Sequence, residues 1–156
     1  MRRPALLACL ALTLLAPPPA AAQAPDALCT ALRRLAEAAA NGFDYLPTGQ
    51  RYVPGSVEER RGVLRPADGP ARAVFYATMA MTNSAQRGHA FAQRAHALET
   101  DVGRCFPQAE ASGMQPVQHG AFGTWTLPRA VIALRRDDGD GGLSSAEIEL
   151  SVASRW

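Results

Sequence analysis

Lysine is missing altogether: all sixteen basic residues are arginine. Together with abundant alanine, this marks the coding bias of a GC-rich bacterial genome and carries no mechanism. Aromatic residues make up only 6% of the chain, and Tyr52, Tyr76, Trp125 and Trp156 do not alternate with basic residues as a nucleic-acid stacking platform requires. No block of five like charges occurs, which removes the usual electrostatic footprint of a nucleic-acid binder. Cys-x-x-Cys is absent, and with it paired zinc cysteines and haem attachment. Nucleophile elbows and glycine-rich phosphate loops are missing too, so no reaction can be read from a motif.

What is present fits one globular unit. The chain has 156 residues, 47% of them apolar, enough for one core. Its first residues, MRRPALLACLALTLLAPPPAAAQA, have the parts of a secretory leader: Arg2 and Arg3 at the front, an apolar stretch from Ala5 to Ala16, then prolines and Ala20-Ala21-Ala22. Cleavage is expected after Ala22, leaving residues 23–156 as a single α+β domain. Leu6-Leu7-Ala8-Cys9 resembles a lipoprotein box and leaves lipidation as the lesser alternative, since only a short apolar stretch precedes Cys9 and it continues after it. As a helix the twelve-residue stretch would rise only about 18 Å, against the ~30 Å hydrocarbon core, so no stable membrane span is expected after cleavage. Loss of Arg2 and Arg3 leaves fourteen arginines facing fourteen acidic residues, and the formal +2 charge falls to zero. A neutral chain has no long-range field for phosphate backbones, so nucleic acid is not an expected partner. The expected destination is the periplasm or the medium.

Cys9 departs with the leader, so Cys29 and Cys105 remain. Two cysteines in an oxidising compartment are expected to form one disulfide.

Asp26 is positioned to cap a helix over Ala27–Ala40, in which Leu28, Leu32, Leu35 and Ala39 form an apolar stripe and Asn41-Gly42 a stop. Phe43, Tyr45 and Leu46 are expected beneath the helix end. Prolines and glycines divide residues 43–72, with short edge strands expected at Arg51–Val53 and Gly62–Leu64. The run Ala73–Met81 reads as a buried strand. Capped by Asn83 or Ser84, a second helix follows, with Gly88, Phe91, Ala95, Leu98, Val102 and Cys105 on one stripe. A Cys29–Cys105 bridge would join the start of one helix to the end of the other, making them antiparallel. Residues 107–123 read as an irregular connection, Thr124–Leu127 as a strand, and Ala130–Arg135 with Ala146–Ala153 as a hairpin. The expected fold is therefore α+β: two helices on one face of a small, mainly antiparallel sheet ending in a C-terminal β-hairpin.

One segment looks like a metal site. Residues 136–147 follow an EF-hand calcium loop, with Asp138 third, Asp140 fifth, Gly141 at the sharp turn and Glu147 as the twelfth-position carboxylate. Arg136 puts a positive charge in the first ligand position, and AVIAL and IELSV on either side favour strands over the helices such a site needs. A solvated hairpin tip rich in turn residues is the expectation, with weak calcium binding as the alternative. His89 and His96 are seven residues apart, about 10 Å along a helix, too far to share one ion. His119 has no local partner. Ser144-Ser145 and Thr82-Asn83-Ser84 suit turns and caps.

The layout resembles small uncharacterised secreted proteins of proteobacteria: an export signal, a helix opened by Cys29 and ending near Phe43, an extended middle, a helix closed by Cys105-Phe106-Pro107, and a terminal hairpin. That resemblance implies a compartment and an α+β fold, and it carries neither activity nor site residues. The leading expectation is a non-enzymatic interaction or accessory module for an envelope or secreted protein, with no cofactor implied. The alternatives are a calcium-dependent binder through Asp138, Asp140 and Glu147, and a small envelope enzyme using His96 or His119 with carboxylates gathered by folding.

Overall fold

Helix α1 (Pro25–Ala39) starts the described chain. The computed structural model describes residues 25–83, 89–139 and 145–155; the expected leader, Ser84, Gly88, Asp140, Gly141, Ser144 and Trp156 lie outside them. α1 begins two residues before the expected start, because Pro25 lacks an N–H that the first turn would leave unpaired. Asp26 therefore sits within the first turn, where its charge faces the positive end of the helix dipole. Leu28, Leu32, Leu35 and Ala39 are buried as the stripe predicts, and Arg33, Arg34 and Glu37 are exposed. At the other end the Gly42 N–H bonds the Ala39 carbonyl (3.1 Å) and the Phe43 N–H bonds the Ala38 carbonyl (3.0 Å). This is a Schellman cap, with Gly42 at φ +65° supplying the left-handed step. Phe43 is left-handed as well (φ +67°), and its ring packs into the core 6.0 Å from that of Phe75. The chain reversal buries Phe43 and Leu46 but turns Tyr45 out, so the expectation that Tyr45 lies beneath the helix is corrected: it is 81% exposed.

Strands β1 (Glu58–Leu64) and β2 (Arg72–Thr82) form an antiparallel hairpin. β2 contains the apolar run read as a buried strand, and β1 extends four residues upstream of the expected Gly62. Arg51–Val53 is not a strand. The N–H groups of Tyr52 and Val53 that a ladder would use are taken by the Glu59 carboxylate, at 2.8 and 2.7 Å.

Helix α2 (His89–Cys105) buries Phe91, Ala95, Leu98, Val102 and Cys105. Cys105, its last residue, is disulfide-bonded to Cys29 in the opening turns of α1, with Cα atoms 4.9 Å apart. The start of one helix is thereby fastened to the end of the other, as the antiparallel reading requires. After α2 come β3 (Glu110–Ala111), β4 (Gln115–Val117), β5 (Gly120–Thr126), β6 (Ala130–Asp137) and β7 (Ala146–Ser154). The connection read as irregular thus contains two short strands on β5, each too short to show a period-two pattern.

All pairings in the seven-stranded sheet are antiparallel, in the order β1-β2-β7-β6-β5-β3, with β4 also on β5. Register aligns Phe75 with Val152, Val152 with Ile132 and Ile132 with Trp125, one row of the core. Ala77, Leu150 and Leu134 form the next row. α1 packs against β2, β6 and β7, and α2 against α1 and β6, on this face. The opposite face carries Tyr76, Thr78, Glu147, Glu149, Ser151, Arg135 and Phe122, and no described helix covers it. This is the expected α+β arrangement, closed by the β6–β7 hairpin.

Candidate functional site

The calcium-like loop is flanked by strands β6 and β7, as its flanking sequences imply. Asp138 accepts two hydrogen bonds from Arg136 (3.2 and 2.9 Å), so the arginine in the first loop position binds the carboxylate in the third. Asp137 caps the turn by accepting the Gly139 N–H at 2.9 Å. Glu147 accepts from the Thr78 hydroxyl at 2.7 Å on the uncovered sheet face. Asp140, the remaining candidate ligand, lies outside the described residues.

The histidines are separately engaged. His89 is 2.9 Å from Gln93, one helical turn along. His96 Nδ1 is 3.2 Å from Glu99 Oε2, and Glu99 Oε1 accepts the Met114 N–H at 2.9 Å. Held at both oxygens, Glu99 orients an imidazole that is itself well exposed, at the rim of a cleft of about 340 Å³ shared with Arg136. His119 occupies the β4–β5 turn in the left-handed region (φ +61°), and its carbonyl accepts the Asp138 N–H at 2.7 Å. Of the groups named for an envelope enzyme, folding joins His96 to Glu99 on its own helix.

A surface without any motif in the sequence stands out instead at β1. This strand is one edge of the sheet, pairs among the described residues only with β2, and is seven residues long. The other edge is divided between β3 and β4, two and three residues long, and β4 contains Pro116. Long open edges present unpaired backbone groups, and charged side chains commonly protect them. Here three of the four charges of β1, those of Glu59, Arg60 and Arg61, fold back. Glu59 binds the N–H groups of Tyr52 and Val53 and the Ser56 hydroxyl (2.8 Å), fastening residues 52–56 to the helix side of β1. Arg61 donates to the Leu46 carbonyl at 2.6 Å on the same side. Arg60 lies on the uncovered face, its guanidinium 3.9 Å from the Tyr76 ring centroid and 2.6 Å from Glu149. What remains outward along β1 is Glu58 at its start and an apolar end: Val63 is 59% and Leu64 46% exposed, with Val57 also exposed just before the strand.

Burial raises the pKa of Glu149 above its ordinary value, against the lowering pull of Arg60. Arg60, Arg135, Asp137, Glu147 and Glu149 surround a small depression of about 90 Å³ here, with Arg135 also paired to Asp137. Nothing in the sequence alone gives Glu59 and Arg60 a role, since they lie in a run of four charges without apolar alternation, and Tyr76 reads simply as part of the Ala73–Met81 strand. The usable signal was the period of two, which places Glu59 and Arg61 on one side of a strand and Arg60 on the other. No helix among the described residues is long and apolar enough to cross a membrane. No protein-family model, curated protein or solved structure matches the chain.

Proposed function

We propose that this protein is an exported, non-enzymatic interaction module that receives an extended segment of an envelope or secreted protein on the open edge of β1. One observation carries the reading: a seven-residue edge strand in which Glu59, Arg60 and Arg61 are tied to the protein's own fold while Val63 and Leu64 remain exposed. Strand addition draws affinity from backbone hydrogen bonds and specificity from alternate side chains, and such an edge supplies both. Export is supported by the leader-like N-terminus and by the paired Cys29 and Cys105.

Photo-crosslinking in the intact envelope tests the docking surface. A photoreactive residue at Val63 or Leu64 should capture one recurrent protein, and the same probe at exposed Arg34 on α1 should not. Equal capture from both surfaces, or none from β1, overturns the reading. Compartment is tested separately by fractionation: reduced, full-length chain confined to the cytosol would refute export.

A further inference from the structure

A second concavity, on elements distant in sequence from β1, has its own chemistry. A cleft of about 310 Å³ opens where α1 meets the β5–β6 turn and the residue following the disulfide-bonded Cys105. Ala36, Phe106, Leu127, Pro128 and Ala130 make its walls apolar. Its polar lining is limited to Arg33, Glu37 and Arg129. Arg33 is positioned by a hydrogen bond to the Cys105 carbonyl (3.3 Å), which occupies one of its five donors. Arg129 is exposed, and its side chain makes no hydrogen bond or ion pair among the described residues. Arg155 adds a third guanidinium nearby, donating to the Leu127 carbonyl at 3.2 Å while its N–H bonds the Arg129 carbonyl at 3.0 Å. Among the described residues, two arginines and one carboxylate thus line an apolar hollow, with Arg155 beside it.

We propose that this cleft binds a small apolar carboxylate. The hydrocarbon part lies against Phe106, Leu127 and Ala130, and the carboxylate is received by Arg129 and Arg33, whose planar guanidinium suits two-oxygen recognition. The volume is at the lower end of the roughly 300–1,000 Å³ of small-molecule sites, which selects a compact ligand over a long acyl chain.

Calorimetric titration of the disulfide-intact protein with octanoate, 1-octanol and octylamine tests this, with methyl resonances of Ala36, Leu127 and Ala130 locating the ligand. Octanoate should bind saturably, about tenfold more tightly than octanol, as expected of a charge-assisted contact, and octylamine more weakly still. Ala36→Phe, which fills the cleft from a half-exposed position, should abolish binding. Arg129→Gln, an exposed change, should cost octanoate about tenfold and leave octanol unaffected. Equal affinity for octanoate and octanol, no saturable binding, or unchanged affinity in a folded Ala36→Phe protein overturns the proposal.

Discussion

Three residues hold positions that their chemistry alone satisfies. Glu59 gathers two backbone N–H groups and a hydroxyl, so Glu59→Ala strands donors in a partly buried loop. An expected loss of about 1–3 kcal/mol follows, read from the denaturant midpoint. Gly120, at φ +157°, lies where a Cβ would come within 1.9 Å of the Arg136 carbonyl oxygen. Because that oxygen is backbone, Gly120→Ala must move β5 relative to β6, with an expected cost on the order of 1–3 kcal/mol in a melting experiment. Glu149 is a pH element. Its pKa is raised in the folded chain by burial, so folding binds the proton more tightly than the unfolded chain does. Its contribution to stability is therefore complete below the ordinary value of 4.5 and is lost as pH rises through the elevated one. Melting of the protein and of Glu149→Gln across that window should show the native chain gaining on the variant as pH falls; parallel curves would remove this account. None of these roles was legible beforehand, since each depends on a neighbour distant in sequence or on local crowding of the backbone.

Among elements, the helices were the most legible and the edges the least. The α1 stripe of Leu28, Leu32, Leu35 and Ala39 and the α2 stripe of Phe91, Ala95, Leu98 and Val102 repeat often enough for helical periodicity to show. β7 alternates buried and half-buried residues along its whole length, which the sequence displays as AEIELSVAS. β1 reads EERRGVL and shows no apolar alternation, because Arg60 on its outer side interacts with Tyr76 and Glu149 while Glu59 and Arg61 on its inner side bind a loop. β3 and β4 are held by β5 and are too short to announce themselves. The edge location of β1 leads to a prediction at this scale. Val63→Lys replaces an exposed side chain, so stability should change by no more than about 0.5 kcal/mol. Strand addition should nevertheless be weakened, measured as lost crosslinking from a probe at Leu64. A large fall in melting temperature would mean that Val63 supports the fold instead.

For the molecule as a whole, the disulfide closes the helical layer. Cys29 and Cys105 are 76 positions apart, and closing a loop of that length removes denatured-state entropy worth on the order of 4 kcal/mol on the chain-entropy account. Replacing both cysteines by alanine should lower stability by about that amount, and reductant should have the same effect on the native chain but none on the variant. Periodicity and cysteine parity were sufficient to read the α+β class, the helix pair and the bridge, because repetition along the chain is a local property that survives without coordinates. Only tertiary structure decided which strand has an open edge, which sheet face no described helix covers, and where Arg33 and Arg129 meet at an apolar cleft. Those outcomes depend on which distant segments become neighbours, and such proximity is set by chain packing in three dimensions rather than by any spacing along the sequence.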